Sequence, residues 1–161
     1  MDVKHRVICE KDDQKLANII RDNLKAYKLD IPGTVYFDDN LDHLSDYYLA
    51  KPETRAYFVL CDDSDDVVGG VGLAQVDFMD ETCELQKLYL REDFKGKGLS
   101  YLLMELVEKK ALELGYRRVY LETHSNLVPA IHLYKKCGFV EIARPKEVVH
   151  STMDRFFIKE L

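Results

Sequence analysis

The chain has no CxxC pair, and none of its cysteines sits in a histidine-rich stretch. Its four cysteines, Cys9, Cys61, Cys83 and Cys137, are scattered along the sequence. That spacing excludes zinc-ribbon and thioredoxin-type sites. Cys83 and Cys137 fall in apolar segments and read as small core residues, so a reducing compartment is expected. No apolar run approaches the roughly 18 residues of a membrane span, and Asp2-Val3-Lys4-His5-Arg6 has no apolar signal core. A cytoplasmic protein without a membrane partner is the expectation. A basic excess is also missing. The formal net charge of -6 argues against a general nucleic-acid binder, which needs a basic surface. There is no internal repeat, low-complexity tract or linker.

What is present is a chain of 161 residues, 47% hydrophobic and 32% charged. That is enough for one core, so residues 1–161 are expected to form one domain. Val3 to Cys9 reads as a strand. Asp12 or Asp13 would cap a helix whose Leu16, Ile19, Ile20, Leu24 and Tyr27 share a face. Ile31-Pro32-Gly33 stops it, and Leu41 to Leu49 suggests a short second helix. Arg55 to Cys61 and Val67 to Phe78 form a hairpin around Asp62-Asp63-Ser64-Asp65-Asp66. That aspartate turn lacks EF-hand spacing, so no metal site is expected.

Thr82 to Leu90 is the next strand. A long amphipathic helix from Leu99 to Gly115 follows, carrying a Glu105–Lys109 pair, and then a strand at Arg117 to Thr123. A crossover of that length implies two parallel strands. Pro129 to Cys137 is a helix ended by Gly138, and Phe139 to Ala143 and Met153 to Leu161 are closing strands.

The most informative stretch joins the first parallel strand to the long helix: Leu85-Gln86-Lys87-Leu88-Tyr89-Leu90-Arg91-Glu92-Asp93-Phe94-Lys95-Gly96-Lys97-Gly98-Leu99-Ser100. Two glycines before a helix start let bare N–H groups and the positive dipole end face one point, which is a phosphate cradle. A Walker A loop is excluded, since Gly98 follows Gly96-Lys97 where serine or threonine is required. The dinucleotide fingerprint is excluded by Tyr101 at its third glycine. A lone Gly-x-Gly is equally well a tight strand-to-helix turn.

The context decides between these. Lys95-x-x-Gly98-x-Ser100, the long helix, a strand ending Leu121-Glu122-Thr123, then Asn126-x-x-x-Ala130-x-x-x-Tyr134-x-x-x-Gly138-Phe139 resembles the GCN5-related N-acetyltransferases, the GNAT superfamily. The resemblance is strongest from Cys83 to Ile142. Two departures stand in the loop, Lys95 for the usual arginine or glutamine and Ser100 for a glycine or alanine. Lysine keeps the charge but loses the bidentate fork.

The resemblance implies an α/β (α+β) fold: a mixed, mostly antiparallel sheet of about six to seven strands, about four flanking helices and a splayed parallel pair. It implies an acetyl-CoA-dependent N-acetyltransferase that uses no metal. Lys95, Gly96, Lys97, Gly98, Leu99 and Ser100 would hold the pyrophosphate. Leu88, Tyr89 and Leu90 would pair with the pantetheine arm along a bulged strand, Asn126 would bond that arm, and Tyr134 would be the general acid. Glu84 and Glu122 are the base candidates, or else cross-strand charges, with His124 as a further base candidate.

The acceptor would be a primary amine: a polyamine, an amino acid, another small amine, or a protein lysine or N-terminus. Asp38, Asp39, Asp42, Asp46, Asp77, Asp80 and Glu81 would attract it. A homodimer through Phe156-Phe157-Ile158 and a non-catalytic acyl-CoA sensor are alternatives on the same fold.

Overall fold

The structure is a computed structural model that describes residues 2–149 and 151–161. Its frame is a seven-stranded sheet in the order β1-β2-β3-β4-β5-β7-β6, formed by β1 (Lys4–Val7), β2 (Ala56–Cys61), β3 (Val67–Gln75), β4 (Thr82–Leu90), β5 (Arg118–Thr123), β6 (Val140–Ile142) and β7 (Arg155–Glu160). All neighbours are antiparallel except β4 and β5. Helices α1 (Asp13–Ala26) and α2 (Leu44–Ala50) precede β2, α3 (Leu99–Glu113) carries the crossover from β4 to β5, and α4 (Val128–Lys136) follows β5.

Of three apolar clusters the two larger lie one on each face, and a small third gathers Val76, Tyr120 and Phe156. Leu16, Ile20 and Leu24 of α1 and Leu44 and Tyr48 of α2 pack with Tyr57 and Val59. On the other face Leu103, Met104 and Val107 of α3 and Ile131, Leu133 and Tyr134 of α4 pack with Leu73, Cys83, Leu85 and Leu121. The α1 residues follow the spacing read from the sequence, which is how an amphipathic helix finds a sheet.

The β3 run Val67-Val68-Gly69-Gly70-Val71-Gly72 trades side chains for close approach. A Cβ on Gly72 would stand 2.5 Å from Tyr57 Cδ2 and 2.9 Å from Tyr48 Cζ, so these tyrosines lie flat on bare backbone. Their hydroxyls, carried over β3, reach β4.

Several local expectations are corrected. Neither Asp12 nor Asp13 caps α1 with its side chain. Asp12 is taken by Arg6 at 2.7 and 2.8 Å and by the Cys9 N–H at 2.9 Å, and Asp13 accepts from Ser45 N and Oγ at 2.9 and 2.6 Å. Glu105 and Lys109 form no ion pair; Lys110 pairs with Glu113 at 3.5 Å, and Lys159 on β7 takes Glu108.

Phe156 and Phe157, offered above as a dimer surface, are 3% and 0% exposed and belong to the core. In the β2–β3 turn Asp62 accepts from Ser64 and Asp66 N–H, while Asp65 and Asp66 pair with Arg6, Lys11 and Lys15. Among the described residues no helix is long and apolar enough to cross a membrane.

Candidate active site

The pairing of β4 with β5 runs from Thr82 opposite Arg118 to Glu84 opposite Tyr120 and stops there. β5 nevertheless continues beside β7 as far as Thr123. Beyond Glu84 the two parallel strands therefore separate, and β4 presents an edge without a strand partner to the gap.

A bulge lies on that open stretch. Gly72 pairs with Gln86 and Gly70 with Tyr89, so Lys87 and Leu88 together oppose Val71. Lys87 takes φ +51, rare for a residue with a side chain. Its carbonyl accepts the Tyr57 hydroxyl at 2.7 Å, which holds the bulge from the α1 and α2 face.

Two cavities open on the gap. The first, about 240 Å³, runs from the Gly96 loop along Leu88, Tyr89 and Leu90 to Tyr134 and Glu122. The second, about 320 Å³, lies under the loop before α2 and is walled by Asp38, Glu84, Gln86 and Ser151. Leu85, Lys87, Tyr89, Glu122, Leu127 and Met153 border both, so the two spaces meet at the splay.

The mouth of the first cavity has the character expected of a phosphate site. Gly96 and Gly98 hold φ +74 and +77, and nothing lies within 4 Å of a Cβ built on either. Gly98 caps α3 without any side-chain acceptor, leaving the first N–H groups of the helix free to face an anion. Lys95 borders the cavity, with its ammonium 2.8 Å from Glu92 Oε2 and 5.5 Å from the Tyr27 ring centroid. Ser100 borders it as well. Lys97 does not; its Nζ stands 5.2 Å over the Phe94 ring and its side chain faces solvent. Leu99 packs on the core beneath α3.

Of the other candidates, Tyr134 is 6% exposed, with its ring edge-on to Phe139 at 5.9 Å. Among the described residues nothing hydrogen-bonds its hydroxyl, and burial pushes the phenol above its ordinary value. Glu84 accepts from Gln86 Nε2 at 2.9 Å, and Gln86 in turn accepts from the Tyr48 hydroxyl at 2.7 Å. Burial raises the Glu84 carboxyl above the usual carboxylate range; the Gln86 bond works against this and the charge of Glu122 with it. Glu122 accepts the Tyr120 hydroxyl at 2.8 Å and Ser151 Oγ at 3.2 Å.

Asn126 and His124 border neither cavity. The Asn126 amide donates to the Tyr27 carbonyl at 3.0 Å, tying the loop before α4 to the end of α1, and His124 Nδ1 accepts the Asn126 N–H at 3.0 Å. Both are engaged in shaping the turn. Of the seven acidic residues expected to attract an acceptor, only Asp38 reaches the second cavity. Asp42 is held by Arg21 at 2.7 and 2.8 Å, and Glu81 faces Arg117 at 3.7 Å.

Sequence reading missed Lys87, Gln86, Tyr48, Tyr57 and Asn23. Asn23 donates from inside the core to the Leu90 carbonyl at 2.9 Å, fixing the end of β4. The one available signal was Lys87 itself, a charge at a position where strict alternation from Cys83 and Leu85 demands an apolar side chain.

A splayed parallel pair with a bulged, half-open strand, closed at one end by a glycine turn into a helix, is the architecture of an acyl-CoA-dependent transferase. Residues 18–139 match the Acetyltransferase (GNAT) family. Among curated proteins, the uncharacterised N-acetyltransferase YjgM of Escherichia coli K12 is 37% identical over 134 residues, covering 82% of this chain and 78% of that one. A GNAT-family acetyltransferase of Staphylococcus aureus Mu50 superposes with a TM-score of 0.86 at 18% identity over 99% of both chains. The PaiA N-acetyltransferase of Thermoplasma acidophilum, whose structure holds coenzyme A, superposes at 0.80 with 18% identity over 100% of both chains. The chain belongs to the GNAT acetyltransferase family. It is therefore an acetyl-CoA-dependent N-acetyltransferase.

Proposed function

We propose that the protein transfers an acetyl group from acetyl-CoA directly to a small primary amine, with both substrates bound at once. The observation that carries this reading is the meeting of two cavities at the point where β4 and β5 part. One cavity leads from the helix start of α3 and suits a phosphate-bearing donor; the other, lined by carboxylates, suits the acceptor. The coenzyme A complex of the Thermoplasma relative, a structure of the same fold, supports the first assignment.

In this reading Lys95, Gly96 and Ser100 sit at the pyrophosphate with the first N–H groups of α3, and the backbone of Leu88 to Leu90 pairs with the pantetheine amides. Lys97 faces solvent, Gly98 and Leu99 take part through the backbone of the helix start rather than through side chains, and Asn126 acts through the turn it holds.

An amine with a pKa near 10 is almost wholly protonated at neutral pH and must lose a proton before attack. Glu84, with its raised carboxyl, is the proton acceptor, and Glu122, held by Tyr120 and Ser151, is the other candidate for that role. The unpaired edge of β4 offers N–H groups to the oxyanion that forms. Tyr134 carries its proton at neutral pH as any phenol does, burial holding it more firmly still, and it donates that proton to the leaving thiolate. The cysteines are not needed: burial pushes Cys61 to about 11 and Cys83 to about 12, leaving them as unreactive thiols.

The test is release of free thiol from acetyl-CoA against an amine panel, compared in wild type and Tyr134→Phe. Thiol release matched to acetylated amine, and lowered by the variant, supports the reading. Acetyl-CoA binding without turnover on any amine contradicts it in favour of a sensor.

A further inference from the structure

The residue that the reaction scheme leaves unused is Lys87, the extra residue of the β4 bulge. Before the bulge, Cys83 and Leu85 face the α3 and α4 core; after it, Leu88 and Leu90 take that face. Unbroken alternation would bury Lys87 with them. The bulge, at the cost of a positive φ, turns this lysine out of the core and into the border between the two cavities.

We infer that Lys87 is a specificity residue that selects an acceptor carrying a carboxylate on the carbon next to its amine, an amino acid rather than a diamine or polyamine. The inference rests on the acetyltransferase reading above and names the substrate class of that site.

Three observations support it. Among the described residues no ion pair or side-chain hydrogen bond engages the Lys87 ammonium, although other well-covered cations, such as Arg6 and Lys159, have carboxylate partners. The negative groups that act on it, Asp38 and Glu84, do so only through space. Burial lowers the ammonium below its ordinary value, so an anion brought against it restores what desolvation removes. Second, the acceptor cavity is two-signed: Lys87 stands three residues along the strand from Glu84, with Glu122 opposite. An α-amino acid presents one charge of each sign about two bonds apart, so its amine faces the glutamates as its carboxylate meets Lys87. Third, a dication would place a second positive charge beside an unneutralised lysine, a like-charge contact that disfavours binding.

The experiment compares kcat/KM for matched pairs that differ only by the carboxylate: leucine and isoamylamine, phenylalanine and phenethylamine, lysine and cadaverine. Wild type is expected to prefer the carboxylated member by about tenfold or more, the scale of one charge-assisted hydrogen bond. In Lys87→Met the ratio should collapse toward one, and Lys87→Arg should restore much of it. A wild-type ratio at or below one overturns the inference while leaving the acetyltransferase intact. So does an unchanged ratio in Lys87→Met with the acetyl-CoA-induced rise in Tm preserved. Should Lys87→Met fail to fold, the wild-type ratio and Lys87→Arg decide. No amine-dependent thiol release with any acceptor, although acetyl-CoA raises the Tm, overturns the acetyltransferase reading and the inference with it.

Discussion

Glu84 and Tyr134 owe their chemistry to burial, and burial has an opposite sign for function and for stability. The Glu84 carboxyl is raised, so the folded chain binds that proton more tightly than the unfolded chain does. Its ionisation therefore costs stability as pH rises through the carboxylate range, and at pH 7 the folded protein bears that cost. Glu84→Gln keeps an oxygen for the Gln86 bond and removes the charge. Thermal melts at pH 7 are expected to show a higher Tm than wild type, and steady-state assays about a hundredfold lower kcat. A lower Tm with unchanged kcat would mean that Glu84 is only a cross-strand charge. Tyr134→Phe removes one oxygen from a site where it has no protein partner. Acetyl-CoA affinity should stay within about threefold of wild type while kcat falls about a hundredfold where chemistry limits the rate.

At the scale of elements, the bulge in β4 is held across the sheet by tyrosines of β2 and α2 that lie on glycines of β3. Tyr57→Phe leaves the Lys87 carbonyl without its donor and should cost about 1 kcal/mol in denaturant unfolding. It should also raise the KM for acetyl-CoA, since the bulge sets the pairing edge. Gly72→Ala forces a methyl against both rings and should cost about 1–3 kcal/mol by the same measurement.

These dependencies mark where sequence reading stopped. The helix starts, the hairpin, the crossover and the glycine turn carry local signatures, and their boundaries were met within a few residues. The bulge left only the charge of Lys87 as a local trace, because it is a register shift between two strands and exists only as a pairing; the family resemblance implied a bulge, not its place. Asn126 and His124 show the same limit from the other side. Their residue types and spacing suit a site, yet the fold spends both on a turn. Asp12 looked like a helix cap and is instead the buried partner of Arg6.

For the whole molecule, that ion pair joins the first strand to the first helix. Burial alone would raise the Asp12 carboxyl, but bonds from Arg6 and the Cys9 N–H outweigh it and the net shift is downward. Its contribution is therefore complete above the ordinary carboxylate pKa and is lost as pH falls through the lowered one. Arg6→Met leaves a nearly buried carboxylate unpaired and should cost about 3 kcal/mol at pH 7, less at pH 3.

In the proposed reading the two substrates meet at one seam, the donor along the cavity that Ser100 of α3 and α4 border and the acceptor in the cavity under residues 33–38. The most direct test is acetyl-CoA thiol release by wild type across amines, with product acetylation followed in the same samples. The account predicts amine-dependent thiol release, one acetylated amine for each thiol, that Tyr134→Phe lowers about a hundredfold. Thiol release indifferent to every amine, from a protein that acetyl-CoA still stabilises, would contradict it.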